Sequence, residues 1–167
     1  MSEPRLTHVD ASGAARMVDV SGKDVTVRTA TATGRVLVSP DVVALLRGAG
    51  VPKGDALAVA RIAGIQAAKR TPDLVPLCHP IAIHGVEVDL VVADDGVDIS
   101  ATVRTADRTG VEMEALTCVA VAGLALVDMV KAVDRAATIT DVQVVHKSGG
   151  RSGDWRRTAD GPPASSP

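Results

Sequence analysis

From Ala115 to Val127 the sequence runs without a charge, bracketed by Glu114 and Asp128, with Lys131 one turn further on. Its Ala, Val, Leu and Gly content describes a helix that is apolar on every side, and such a helix is stable only where it is buried all round. In a two-layer fold one side of each helix ordinarily meets water, so this helix demands a further cover. A second copy of the chain is the simplest one, although small residues such as Ala and Gly are also tolerated at a surface. The uncharged run is shorter than the roughly 20 residues that cross a bilayer. The segment Met1 to Arg16 carries Glu3, Arg5 and Asp10 and lacks the apolar stretch of a signal peptide. A soluble, cytoplasmic protein with no membrane partner is expected.

The apolar fraction is 46%, with no Phe, no Tyr and Trp155 as the lone aromatic, so the core must be aliphatic. That absence argues against modules that bind single-stranded nucleic acid, where stacking on aromatic side chains is worth about 1–3 kcal/mol per base. Net charge is -2, so phosphate binding would have to come from local cations rather than a global field. Cys78 and Cys118 form no CxxC and support neither a disulfide framework nor an iron–sulfur site. The length of 167 residues suits one domain. Residues 1–157 are expected to form it, with the Pro- and Ser-rich stretch 158–167 as a disordered tail.

Along the chain, β-branched residues from Val25 to Val38, interrupted by Gly34, predict a strand or hairpin. Ser39-Pro40 opens a short helix closed by Gly48 and Gly50, and a second start signal at Lys53-Gly54-Asp55 precedes an Ala-rich helix from Ala56 to Lys69. Alternation through Val86–Val92 and Val97–Val103 about Asp94-Asp95-Gly96 predicts a hairpin. The apolar helix follows over about Val111–Val133, and a last strand passes through Ile139, Val142 and Val144. The order β-α-β-β-α-β belongs to the α+β, ferredoxin-like arrangement, an antiparallel sheet with helices on one face.

Asp128 and Lys131, three apart, share a helix face and can touch. Such a pair is either an ordinary surface ion pair or an acid/base couple. Arg28, Lys53, Lys69 with Arg70, and Lys147 stand at element boundaries, where sites collect. Lys147-Ser148-Gly149-Gly150-Arg151-Ser152-Gly153 is a basic, glycine-rich loop suited to wrapping phosphate oxygens. It matches neither a P-loop nor a dinucleotide fingerprint. Leu77-Cys78-His79-Pro80 places an imidazole beside a thiol in what reads as a stiff extended link between Pro76 and Pro80. The remaining His and Cys are too scattered for a zinc site, so no metal is expected. Glu114 and Asp128, fourteen residues apart, are separated by about 21 Å on a straight helix and cannot both reach one small substrate from one subunit.

Taken together, the segments Met17–Ser21, Lys53–Asp55, Ala63–Thr71, Pro76–Pro80, Thr109–Thr117, Asp128–Val133 and Lys147–Gly150 closely resemble the molybdenum cofactor biosynthesis protein C family, the cyclic pyranopterin monophosphate synthases. The resemblance spans about Leu6 to Trp155. It implies a lyase that converts (8S)-3′,8-cyclo-7,8-dihydroguanosine 5′-triphosphate, the product of an upstream radical GTP cyclase, to cyclic pyranopterin monophosphate and diphosphate. It also implies a homohexamer, a trimer of dimers with sites at subunit interfaces. Carried onto this chain, Asp128, Lys131 and Lys53 become the catalytic groups. Leu77, Cys78, His79, Glu112, Met113 and Glu114 become substrate contacts, and Arg28, Lys69 and Lys147 pocket cations. Pro52, Thr29 and Val130 depart from the family's usual residues. No cofactor is implied beyond magnesium that the triphosphate can carry. A non-catalytic, oligomeric phosphate-binding scaffold is the alternative reading, because a fold by itself does not set function.

Overall fold

The computed structural model describes residues 6–48 and 55–158. Lys53, Gly50 and Pro52 lie outside the described residues, as does the stretch beyond residue 158. The chain forms β1 (Thr26–Leu37), α1 (Pro40–Arg47), α2 (Ala56–Ala68), α3 (Thr71–Leu74), β2 (Gly85–Val92), β3 (Gly96–Asp107), α4 (Glu112–Val130), β4 (Thr138–Ser148) and β5 (Trp155–Arg156). These strands make a 5-stranded antiparallel sheet in the order β2-β3-β1-β4-β5, with α2 and α4 packed on one face. This is the ferredoxin-like α+β arrangement, extended by β5.

Several local differences from the sequence expectation have physical causes. Gly34 is not a turn between two strands but an interior residue of β1, where a Cβ would stand 2.6 Å from Val119 Cγ1 on α4. The Pro76–Pro80 link is not extended, because Cys78 N–H closes a turn on Val75 O at 3.0 Å. The apolar helix stops at Val130, with Lys131 as its C-cap. Ser39 occupies the N-cap of α1, yet its side chain makes no capping bond and its own N–H donates to Asp134 Oδ2 at 2.7 Å. Asp55 does cap α2, accepting from Ala58 N–H at 3.0 Å. Arg156 pairs with His146, and Arg157 N–H reaches Val145 O, so the chain just past Trp155 is held to the sheet edge.

As a whole, α4 has 19 residues and a mean hydropathy of 1.9, long and apolar enough by composition to cross a membrane, which the uncharged run alone is not. Here it is a core helix. Ala115, Cys118, Val119, Ala122 and Leu126 are fully buried against Ala30, Ala32 and Val36 of β1 and Ile99, Ala101 and Val103 of β3. The second cover is supplied by α2 along its flank. Small residues allow this approach: a Cβ on Gly64 would lie 2.8 Å from Cys118 O and 3.1 Å from Ala122 Cβ. Leu124 remains exposed on the outer surface, as do Val59 and Ile62 of α2.

In a split β-α-β of this order the two helices run antiparallel, so the C-terminal end of α2 and the N-terminal end of α4 share one edge of the molecule. The start of α2 and Lys131 share the other. Substituting Gly64→Val forces branched carbon into backbone and should destabilise the fold by roughly 1–3 kcal/mol or more. Thermal unfolding of the variant beside the parent measures this, and an unchanged Tm would contradict the close helix contact.

Candidate active site

Three separate stretches meet at the N-terminal end of α4. Glu112, Met113 and Glu114 form its first turn, the turn after α3 brings Leu77, Cys78 and His79, and the end of β4 brings Lys147. All seven line one cavity of about 530 Å³. Roofing it is an N-terminal strap, which contributes Thr7, His8, Val18, Val20 and Lys23. The strap is shaped by its own turns, in which Asp10 Oδ1 accepts from Ser12 N–H at 2.8 Å and Ala14 N–H at 3.0 Å. It is pinned to the body where His79 Nε2 donates to Val18 O at 2.7 Å and Arg108 Nε donates to Lys23 O at 2.9 Å.

A smaller cavity of about 80 Å³ adjoins the first, lined by Arg28, Thr29, Gly110, Val111, Glu112, Lys147, Ser148, Gly149 and Ser152. Arg28 is oriented by its Nε, which donates to Asp107 O at 2.9 Å, leaving the terminal guanidinium nitrogens over Gly150. Gly149 and Gly150 have φ of 88° and 74°, and a Cβ on either would collide with Val27 O or the Arg28 guanidinium. The loop thus needs glycine for both conformation and space. Lys147 Nζ bonds Ser152 Oγ at 3.2 Å and pairs with Glu112 Oε1 at 3.1 Å.

The two glutamates of the first turn differ in environment. Glu112 has Lys147 as its partner. Glu114 is 3% exposed, and burial pushes its carboxyl up to about 7, with the Glu112 charge adding to the rise and a backbone N–H bond opposing it. A carboxyl in that range can both give and take a proton near neutral pH. Burial likewise raises the Cys78 thiol, helped by the Glu114 charge, so Cys78 is a packing and contact group rather than a ready thiolate. Cys118, under α4, is pushed up to about 12 by burial.

Asp128 and Lys131 sit at the opposite end of α4, joined at 2.5 Å and about 59% and 58% exposed. They line neither cavity. Lys69 caps α2 at the cavity end of the molecule but lines neither cavity either. Within one chain, then, Leu77, Cys78, His79, Glu112, Met113, Glu114 and Lys147 converge and the Asp128–Lys131 ion pair stands apart, as the 14-residue separation requires. The strap residues line the cavity without having been singled out from the sequence, while Thr109 and Ser152 lay in segments that were, the family-matched Thr109–Thr117 and the glycine-rich loop. Val18 and Val20 lay in a family-matched segment and Lys23 just beyond it, whereas Thr7 and His8 carry no pattern that marks them.

A depression of about 340 Å³ on the opposite face of the sheet, lined by Thr33, Arg35, Asp89, Asp98, Ser100 and Asp141 among others, gathers none of these residues. Among the described residues no three His, Cys, Asp or Glu converge in a way that could hold a metal ion.

A family model described as the MoaC family matches residues 17–150, a span that holds the Asp128–Lys131 pair and the cavity walls apart from Thr7, His8 and Ser152. The chain belongs to the MoaC family. A protein of Streptomyces coelicolor named cyclic pyranopterin monophosphate synthase is 73% identical over 156 residues, covering 93% of this chain and 92% of its own. One of the same name from Nocardioides is 72% identical over 159 residues, covering 93% and 98%. A Mycobacterium tuberculosis protein named cyclic pyranopterin monophosphate synthase 2 is 59% identical over 152 residues, covering 91% of each. These MoaC relatives match along nearly the whole chain, so both ends of α4 fall inside the similarity.

The Glu114 environment has a pH signature. A folded carboxyl raised from 4.5 to about 7 binds more protons folded than unfolded between those values, so stability falls as pH rises through that window. The loss amounts to about 3 kcal/mol. Glu114→Gln, which mimics the protonated form, should match the parent near pH 4 and exceed it by up to that amount at pH 8. Denaturant unfolding at several pH values checks the divergence; parallel curves would show that Glu114 is not buried in this way.

Proposed function

We propose that this MoaC-family chain is a cyclic pyranopterin monophosphate synthase acting as a lyase on cyclised GTP. It would convert (8S)-3′,8-cyclo-7,8-dihydroguanosine 5′-triphosphate to cyclic pyranopterin monophosphate and diphosphate. The observation that carries this reading is the convergence of Leu77, Cys78, His79, Glu112, Met113, Glu114 and Lys147, from three distant segments, on one cavity beside a small basic pocket. The larger cavity is of the size that takes a small polar ring system. Arg28, Lys147 and the Gly149-Gly150 backbone suit phosphate oxygens. Magnesium, if present, arrives as part of the triphosphate.

Ring opening, ring closure and diphosphate loss are proton-transfer steps, and a general acid or base must stand about 2.6–3.2 Å from the proton it moves. Asp128 lies about 21 Å along α4 from Glu114, and Lys131 about 25 Å. In this reading they therefore serve the cavity of a neighbouring subunit, along with Lys53 from the segment that leads into α2. The exposed Val59, Ile62 and Leu124 on the outer helix surface suit self-association, and a homohexamer built as a trimer of dimers gives each cavity a neighbour. A cytoplasmic setting beside the radical cyclase that makes the substrate completes the proposal.

Lys131→Ala should cut diphosphate release from the cyclised GTP by about 100-fold or more. Tm and assembly should hold, because an exposed ion pair adds little stability. Turnover at the parental rate would remove Lys131 from catalysis and favour the phosphate-binding scaffold. Mixed assembly tests the shared site. Co-expressed Lys131→Ala and Glu114→Ala chains, each inactive alone, should regain about a quarter of parental activity if random assembly pairs intact ends from different subunits. No recovery would place all the groups in one chain.

A further inference from the structure

Gly110, Glu112, Lys147 and Ser152 line both cavities, so they form the wall between them. The Glu112–Lys147 ion pair is the charged part of that wall, with side chains 26% and 30% exposed. The two oxygens of Glu112 have different surroundings. Oε1 faces Lys147, and Oε2 is folded back into the space that a Cβ on Gly110 would need. In this posture Oε1 is committed to Lys147, although Glu112 lines the larger cavity. Lys147, in contrast, also reaches Ser152 in the glycine-rich loop, so its ammonium already stands between Glu112 and the phosphate-like pocket.

We infer that this pair is a partition operated by phosphate. An anionic phosphate in the smaller cavity, held by Arg28 and the Gly149-Gly150 backbone, draws Lys147 away from Glu112, and the freed carboxylate turns to accept ring N–H donors in the larger cavity. The exchange is favourable in direction because a phosphate brings more charge and more acceptor oxygens to Lys147 than one carboxylate oxygen does. Its consequence is positive coupling: filling the smaller cavity tightens binding in the larger one. Glu112 and Lys147 then select substrates that carry both a phosphate and an N–H-bearing ring. The inference rests on the synthase reading and adds a specificity device to it.

The test uses the full-length protein in its native assembly, with inorganic tripolyphosphate as the phosphate probe and pterin as the ring probe. By titration calorimetry, pterin should bind about fivefold tighter or more when tripolyphosphate is saturating, the usual size of a coupling between sites. Glu112→Gln and Lys147→Ala should each reduce that ratio to within about twofold. Gly110→Ala, which evicts Oε2 from its resting place, should bind pterin without phosphate nearly as well as the parent does with it. Equal or weaker pterin binding with tripolyphosphate, no measurable binding in its presence, or coupling that survives in Glu112→Gln overturns the inference. Turnover of cyclised GTP by the same preparation separates the two claims: an active parent without coupling loses only the partition, whereas an inactive parent loses the synthase reading.

Discussion

The approach of α4 to two layers at once sets the geometry of everything at its ends. It is possible because small residues stand at the points of closest approach: Gly34 and Ala32 of β1 below, and Gly64 and Ala60 of α2 alongside. Protein interiors pack at near-crystalline density, so a helix seated this closely on sheet and neighbouring helix has no room to slide. It acts as a ruler. Glu114 is held at one end of it and Asp128 at the other, and the separation of the two is a property of the backbone rather than of any flexible side chain.

Electrostatics at the cavity end follow from that placement. Difference in burial and in partner gives Glu112 and Glu114, two residues apart, separate chemical characters: one is an ion-paired carboxylate, the other a carboxyl whose pKa is raised to about 7 by lack of water. Cations enter from other elements, Arg28 from β1 and Lys147 from β4, which are hydrogen-bonded neighbours in the sheet. Sheet pairing thus gathers the positive charge, and the helix supplies the negative. Their meeting point is the wall between the two cavities.

Much of this was readable in the residues. Period-two alternation marked the β2–β3 hairpin, and the start signal that ends at Asp55 marked the beginning of α2, where the structure has the Asp55 cap. The uncharged run identified α4, and residue counting separated Glu114 from Asp128 before any coordinates. Gly34 left strand and hairpin both open, because a glycine in a strand looks the same whether it turns the chain or admits a helix above it. Only the tertiary contact with Val119 distinguishes the two. The Cys78 turn was hidden because prolines on both sides favour extension locally, while one backbone bond to Val75 outweighs that preference. The strap escaped notice because its role comes from where it lies, not from a periodic pattern.

The bond that pins this strap also determines how His79 can meet a ligand. Since Val18 O can only accept, the imidazole must carry a hydrogen on Nε2, and in the neutral ring Nδ1 is then a bare lone pair. The strap thus takes one ring nitrogen out of use, and Nδ1 is the atom through which a neutral His79 can accept a further hydrogen bond.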